Sequence, residues 1–208
     1  MKQNQISQCI SFFVILSGVC VMTGWIFDIG LLKSILPFWI SMKFTTAVCF
    51  AASGLTLLSI REYLQQKTFY HQIVLPVTCL IIFLLMMTML LGTMFQIDTG
   101  MESFFVKDHD DPIMTTVPGR PSVGTMIAFL LVGLTGVFTE FKTARLVQKL
   151  QLLGIGITII GSVALIGYIA NLPALYYYVK EVSSAMAFNT AVLFVLLGAG
   201  FLSLKESA

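Results

Sequence analysis

Charge is scarce in this chain of 208 residues: Lys, Arg, Asp and Glu together make up 11% of it, where a soluble domain carries about 25%. The long apolar stretches hold essentially no ionisable side chain between their ends. That argues against a proton- or ion-coupled carrier, which keeps acids or bases at membrane depth. The paired Gly/Pro interruptions that break transporter helices are also missing. There are two histidines, His71 and His109, and they fall on opposite sides of the membrane pattern, so a bis-histidine haem is excluded. Met86, Met87 and Met89 read as adaptable packing rather than as haem ligands. The four cysteines, Cys9, Cys20, Cys49 and Cys79, lie in or beside apolar stretches. They have neither the close pairing of a metal site nor the loop placement of a disulfide. No basic patch is interleaved with aromatics, which removes nucleic acid as a partner. No base–nucleophile pair or metal set shares one depth, so no enzymatic activity and no cofactor are expected.

What is present is apolar surface. Hydrophobic residues make up 57% of the chain, and the mean hydropathy is +0.93. They gather into six runs of roughly twenty residues, each long enough to cross a bilayer core of ~30 Å as a helix. The runs lie near residues 8–27, 44–60, 73–94, 122–138, 150–168 and 184–204. The reading is an all-α integral membrane protein, a single domain over 1–208. Its polar start and the absence of a small-residue cleavage site make the first run an uncleaved helix; Leu16-Ser17-Gly18-Val19-Cys20 departs from a lipoprotein box at the large Val19. With the N-terminus in the cytoplasm, the inner side receives Lys2, Arg61, Lys67, Lys142, Arg145, Lys149 and Lys205. The outer loops receive five bases, Lys33, Lys43, Lys107, Arg120 and Lys180, with seven of the ten acids. This positive-inside bias favours six spans with both termini in the cytoplasm.

One pattern is written three times. Thr46, Phe50 and Gly54 recur as Thr125, Phe129 and Gly133, and again as Thr190, Phe194 and Gly198. Steps of four keep each set on one side of a helix. Each copy follows an apolar run and a loop, so the expectation is three repeated helical hairpins, near 8–63, 72–141 and 148–204. The pattern has two readings. In the first it is a packing motif, with each Phe ring over a glycine of an adjacent helix and each Thr hydroxyl bonded back to its own helix. In the second the Thr hydroxyls line a ligand pocket at the outer mouth. Gly154, Thr158 and Ser162 in the fifth run form a further small-residue face, suited to close helix approach.

The connections differ in character. Residues 28–42 are apolar and contain Pro37-Phe38-Trp39, which suggests a segment lying at the interface or dipping back toward the bundle. Residues 96–121 are the longest loop, with Asp98, Glu102, the run Asp108-His109-Asp110-Asp111, and Pro118-Gly119-Arg120-Pro121 as a shaped turn. Asp108, His109, Asp110 and Asp111 are the one cluster able to hold a divalent cation, with Asp98 and Glu102 as further donors, although adjacent residues seldom converge on one centre. Ser122 is placed to cap the fourth helix, and Ser183 or Ser184 to open the sixth. Tyr176, Tyr177 and Tyr178 suit an aromatic belt.

Several of these stretches together resemble the N-terminal membrane sensor region of bacterial histidine kinases and diguanylate cyclases. They are Met42-Lys43-Phe44-Thr45-Thr46-Ala47, Pro118-Gly119-Arg120-Pro121-Ser122-Val123-Gly124-Thr125 and Met186-Ala187-Phe188-Asn189-Thr190-Ala191. Phe95-Gln96-Ile97-Asp98-Thr99-Gly100 and Gly167–Tyr176 belong to the same resemblance, which runs from about Gly24 to Leu204. It implies a sensor-like fold, and makes Asn189 and Arg120 ligand-binding candidates beside Thr46, Thr125 and Thr190. The chain departs from the family in three ways. Val123-Gly124 stands where Pro-Asn is common, Asn189 stands where the third repeat often has His, and no kinase or Gly-Gly-Asp-Glu-Phe cyclase sequence follows. The expectation is therefore a non-enzymatic, sensor-like or accessory module for signal transduction, without its own output domain. It would act through membrane lipids and a membrane or cytoplasmic protein partner, or as a homo-oligomer. A structural subunit of a larger membrane complex and a small-molecule or lipid carrier are the alternatives.

Overall fold

A computed structural model describes residues 2–34, 39–66, 71–102, 105, 117–177 and 184–205, with side chains from residue 5 onward. Its elements are α1 (Lys2–Ile26), the single turn α2 (Gly30–Lys33), α3 (Phe44–Leu64), α4 (His71–Phe95), α5 (Val123–Glu140), α6 (Leu146–Ile169), a 3₁₀ turn at Pro173–Leu175, and α7 (Phe188–Leu202). No strand occurs among the described residues. Five helices, α1, α3, α4, α5 and α6, are long and apolar enough to cross a membrane. α7 is apolar but has 15 residues, about 22 Å of helix against a hydrocarbon core of ~30 Å.

Consecutive long helices pair: α1 with α3, α4 with α5, and α6 with α7. Each pair then meets the next through α3 and α4, α5 and α6, and α7 and α1, which closes a ring. α3 also touches α5 and α7 at the centre. Burial follows this plan: 67% of the apolar window of α3 is buried, against 28% for α6. The outer helices α1, α4 and α6 expose large apolar side chains such as Phe12, Ile73, Leu84 and Ile159, surface that acyl chains cover in a bilayer.

The three repeat phenylalanines form the centre. Phe50, Phe129 and Phe194 are wholly buried, with ring centroids 4.8, 4.8 and 4.9 Å apart and tilted or edge-on planes. Such rings favour edge contacts, because the face of one is negative and the rim of the next positive. This corrects the expectation of rings seated over glycines. The rings meet one another, and the glycines receive the partner helix of the same pair. A Cβ on Gly54 would lie 2.6 Å from Ile15 and 2.8 Å from the Ser11 carbonyl of α1. On Gly133 it would lie 2.8 Å from the Phe83 ring of α4. On Gly198 it would collide with Thr158 Oγ1 and sit 2.6 Å from the Gly154 carbonyl of α6. The small face of α6 is thus taken up by α7 within the same chain: Gly154 packs on Phe201, Thr158 on Gly198, and Gly161 on the Ala191 carbonyl, while Ser162 stays half-buried beside that line.

α7 begins later than Ser183 or Ser184 implied; Ser183 lies outside the described residues, and Ala187 is the N-cap. The reason is that residues 184–187 are held extended. Met186 N–H donates to the Tyr176 carbonyl at 2.8 Å, and the Met186 carbonyl accepts from Tyr168 Oη at 2.7 Å. Ser122 caps α5 as expected, accepting from Thr125 N–H at 3.1 Å.

These contacts separate two glycine classes. Gly198→Ala should lower stability by about 2 kcal/mol, because α6 and α7 must part to admit the methyl. Gly156→Ala should hold it or raise it by up to about 1 kcal/mol, since alanine is the better helix former and only the flexible end of Leu131 is near, at 3.3 Å. Phe129→Ala should cost about 3 kcal/mol by leaving a hole between two fixed rings. Unfolding of the detergent-solubilised variants, followed by circular dichroism, measures all three.

Candidate functional site

One end of the bundle gathers the C-termini of α1, α4 and α6 with the N-termini of α3, α5 and α7. The three outer helices stop in the same way. Asp28, Gln96 and Asn171 adopt left-handed φ values of 56°, 55° and 52°. The next amide then donates back to a helical glycine: Ile29 to Gly24 O at 2.8 Å, Ile97 to Gly92 O at 2.9 Å, and Leu172 to Gly167 O at 2.8 Å. This six-residue closure is the Schellman arrangement, and it satisfies a carbonyl the helix leaves unpaired. The inner helices also start alike, with N-caps Lys43, Ser122 and Ala187 extended at ψ 149°, 153° and 149°.

Each loop is then tied down by a side chain. In the first, Trp25 Nε1 donates to the Met42 carbonyl at 2.8 Å, and Met42 N–H donates to Lys33 O at 2.9 Å. Lys33, itself buried, pairs with Asp28 at 2.7 Å and lies 4.4 Å over the Trp25 ring. In the third, the Tyr168 bond to Met186 plays the part of Trp25, and Tyr168 stacks on Tyr176 at 4.2 Å. Tyr176 is buried by that stack rather than standing in an aromatic belt, and Tyr178 lies outside the described residues.

The second loop uses charge. Pro118-Gly119 forms a turn closed by Arg120 N–H to Val117 O at 3.2 Å, with Gly119 at φ 77°. A Cβ on Gly119 would strike the backbone of Glu102. Arg120, 2% exposed, donates through Nε to Glu102 Oε1 at 2.9 Å, again to that oxygen through Nη2, and to Ile97 O at 2.8 Å. Thr99 Oγ1 donates to Glu102 Oε2 at 2.9 Å, and exposed Asp98 lies 3.6 Å from the guanidinium. Burial raises the Glu102 pKa, but the bonds from Arg120, its own backbone N–H and Thr99, together with the Arg120 charge, outweigh it and hold it below its ordinary value. Asp28 is lowered likewise by its hydrogen bond and charge pairing with Lys33.

The expected site residues fall as follows. Thr46, Thr125 and Thr190 are each 2% exposed, one turn above the phenylalanine triad toward the loop end. The Thr125 hydroxyl meets Ser122 Oγ at 2.8 Å. The back-bonding to a helical carbonyl expected of the repeat threonines is made by Thr56, Thr135, Thr139 and Thr158 instead. Asn189 reaches across to the first loop, donating to Lys33 O at 3.4 Å while accepting from Thr190 N–H. The Arg120 guanidinium is taken up by Glu102 and Ile97. Trp39 dips onto Tyr168 and Phe188, at 5.6 and 4.8 Å, in keeping with an apolar first loop turned back to the bundle. Asp108, His109, Asp110 and Asp111 lie outside the described residues, and among the described residues no three metal-binding side chains gather. Lys33, the Trp25–Met42 bond and the repeated left-handed helix ends were missed by sequence reasoning. Glycine five residues before an Ile or Leu, with a polar residue between, was the available signal.

Breaking the Arg120–Glu102 pair tests its weight. Arg120→Ala should destabilise by about 3 kcal/mol, because a carboxylate stays buried without its partner. The double variant Arg120→Ala with Glu102→Gln should recover most of that loss. The lowered Glu102 pKa gives stability that is present above the ordinary carboxylate pKa of ~4.3 and lost as pH falls through the native value. Wild-type unfolding temperature should therefore drop on acidification with a limb that Glu102→Gln weakens.

Compared with known proteins, the chain matches no family model, no curated protein and no solved structure.

Proposed function

We propose that the chain is a non-enzymatic, sensor-like or accessory membrane module of six spans, built as three repeated hairpins, that acts through helix contacts with a partner protein. In this reading α7, together with the extended residues 184–187, makes the sixth crossing; the repeated helix ends, N-caps and phenylalanines support the threefold plan. The loops between paired helices face outward, and both termini lie on the cytoplasmic side of a bacterial inner membrane, the side the basic residues favour.

The observation that carries the functional reading is the closed axis. Phe50, Phe129 and Phe194 fill the place where a carrier needs a path, and the middle of every described span is free of charge. The charged groups gathered at the loop end tie the loops in place, which suits a rigid body whose state passes to a neighbour rather than a catalyst. Lipid-facing α1, α4 and α6 are the helices available to that neighbour.

Gentle detergent extraction from native membranes, followed by mass spectrometry of stoichiometric companions, tests this. A kinase, a cyclase or another signalling chain is the expected companion. A large assembly unrelated to signalling would make the module a structural subunit, and recovery of the protein alone would overturn the partner reading.

A further inference from the structure

The opposite end of the bundle carries a charge arrangement that the fold leaves unanswered. Between α5 and α6 the chain reverses in five residues, Phe141 to Arg145, and three basic side chains stand on or beside this turn: Lys142, Arg145 and Lys149. Lys142 and Arg145 are exposed, and among the described residues no carboxylate pairs with any of the three. The first turn of α6 contains no acid. Glu140 is the one acidic residue on this turn, so the local balance is +2, equal to the formal charge of the whole chain.

The turn is built rather than loose. Phe141 N–H donates to Val137 O, Lys142 N–H to Thr139 O and Thr143 N–H to Phe138 O, at 3.1, 3.1 and 3.2 Å, and the Thr143 hydroxyl adds a bond to Phe138 O at 3.2 Å. This is a complete Schellman closure with lysine at the left-handed position, where glycine or asparagine is usual. Lys142 has φ 47° and Arg145 φ 55°, so two bulky cations occupy, three residues apart, a conformation that side chains rarely adopt. Lys149 is drawn back over the Phe138 ring at 5.3 Å, which holds its ammonium on the α5–α6 seam. Phe141, 78% exposed beside these cations, presents an apolar ring at the level where the helices leave the hydrocarbon. Gln151 donates to the carbonyls of Leu202 and Leu204 and so brings exposed Lys205 to the same end of α6.

Cations grouped around an exposed aromatic ring at the end of membrane helices match one chemistry: a phosphate carried on an acyl-chain body. We propose that the α5–α6 turn is a binding site for the headgroup of an anionic phospholipid. Lys142 and Arg145 contact the phosphate, Lys149 closes the side against α5, and Phe141 inserts among the acyl chains. This depends on the bundle lying in a bilayer and is independent of the partner reading.

The test uses the full chain in nanodiscs of phosphatidylcholine doped with phosphatidylglycerol, with retained lipid identified by native mass spectrometry after release. Wild type should retain phosphatidylglycerol in preference to phosphatidylcholine. Lys142→Gly with Arg145→Gly should weaken that preference about thirtyfold, roughly fivefold for each basic side chain at a membrane surface. Glycine suits both left-handed positions, so the unfolding temperature should hold or rise, which separates loss of lipid from loss of fold. Phe141→Ser should shorten the lifetime of bound phosphatidylglycerol in detergent. The proposal is overturned if wild type shows no preference, if the glycine variant keeps it, or if inorganic phosphate displaces the lipid as well as soluble headgroup does, since the last marks a general anion site.

Discussion

Three phenyl rings in mutual contact set the positions of everything around them. In lipid the hydrophobic effect does not press helices together, so shape has to do so. Phe50, Phe129 and Phe194 supply it, each needing both others to complete its edge contacts. With the inner helices so placed, the outer ones settle into the grooves left by glycine. The first and third pairs share one solution, in which Gly18 of α1 and Gly161 of α6 lie against the backbone at Ala47 and Ala191. The second pair reverses it, with Phe83 and Cys79 of α4 filling the space above Gly133 and Gly136 of α5. The same centre is thus reached by close backbones in two hairpins and by bulky side chains in the third.

Polar chemistry is sorted by depth around that centre. Within the spans, hydroxyls such as Thr56, Thr78 and Thr139 bond to backbone carbonyls or to one another, which keeps them neutral and satisfied. At the loop end buried cations appear, and each stitches a segment that would otherwise expose its backbone. Lys33 does this with an aspartate and an indole, Arg120 with a glutamate and a carbonyl. At the far end Lys142 and Arg145 point outward. A buried charge is tolerable only with a partner of opposite sign or a strong dipole, so Lys33 and Arg120 are paired where they are buried, while Lys142 and Arg145 stand exposed.

The helices were legible in the sequence because crossing a bilayer core takes an apolar run of about twenty residues, and the Thr-Phe-Gly steps placed their residues on one face. What the steps did not reveal was the neighbour. A four-residue spacing says that Phe50 and Gly54 share a side, but the contact of Phe50 with Phe129 and Phe194 is a property of three helices at once. The α6 stripe of Gly154 and Thr158 announced a close helix neighbour, but its spacing did not say that α7 of the same chain is that neighbour. Lys33 gave no sign of burial, since its aspartate and tryptophan are brought to it by a one-turn helix too short for periodicity to detect. The start of α7 was misplaced because Ser184 has the chemistry of a cap, while the bonds from Tyr168 and Tyr176 that keep Met186 extended are tertiary.

The ring of helices also has an order of assembly. The hairpins α1–α3, α4–α5 and α6–α7 join near neighbours in the chain, and so do the seams α3–α4 and α5–α6. The seam between α1 and α7 joins the two described helices farthest apart in the sequence, with Gly200 against Ile10 and Leu57. During synthesis one flank of α1 and α3 therefore stays uncovered until α7 is made. Phe194 of α7 completes the core in the same step that shuts the ring. Closing the ring and completing the core are thus one event, and without α7 only the contact of Phe50 with Phe129 remains.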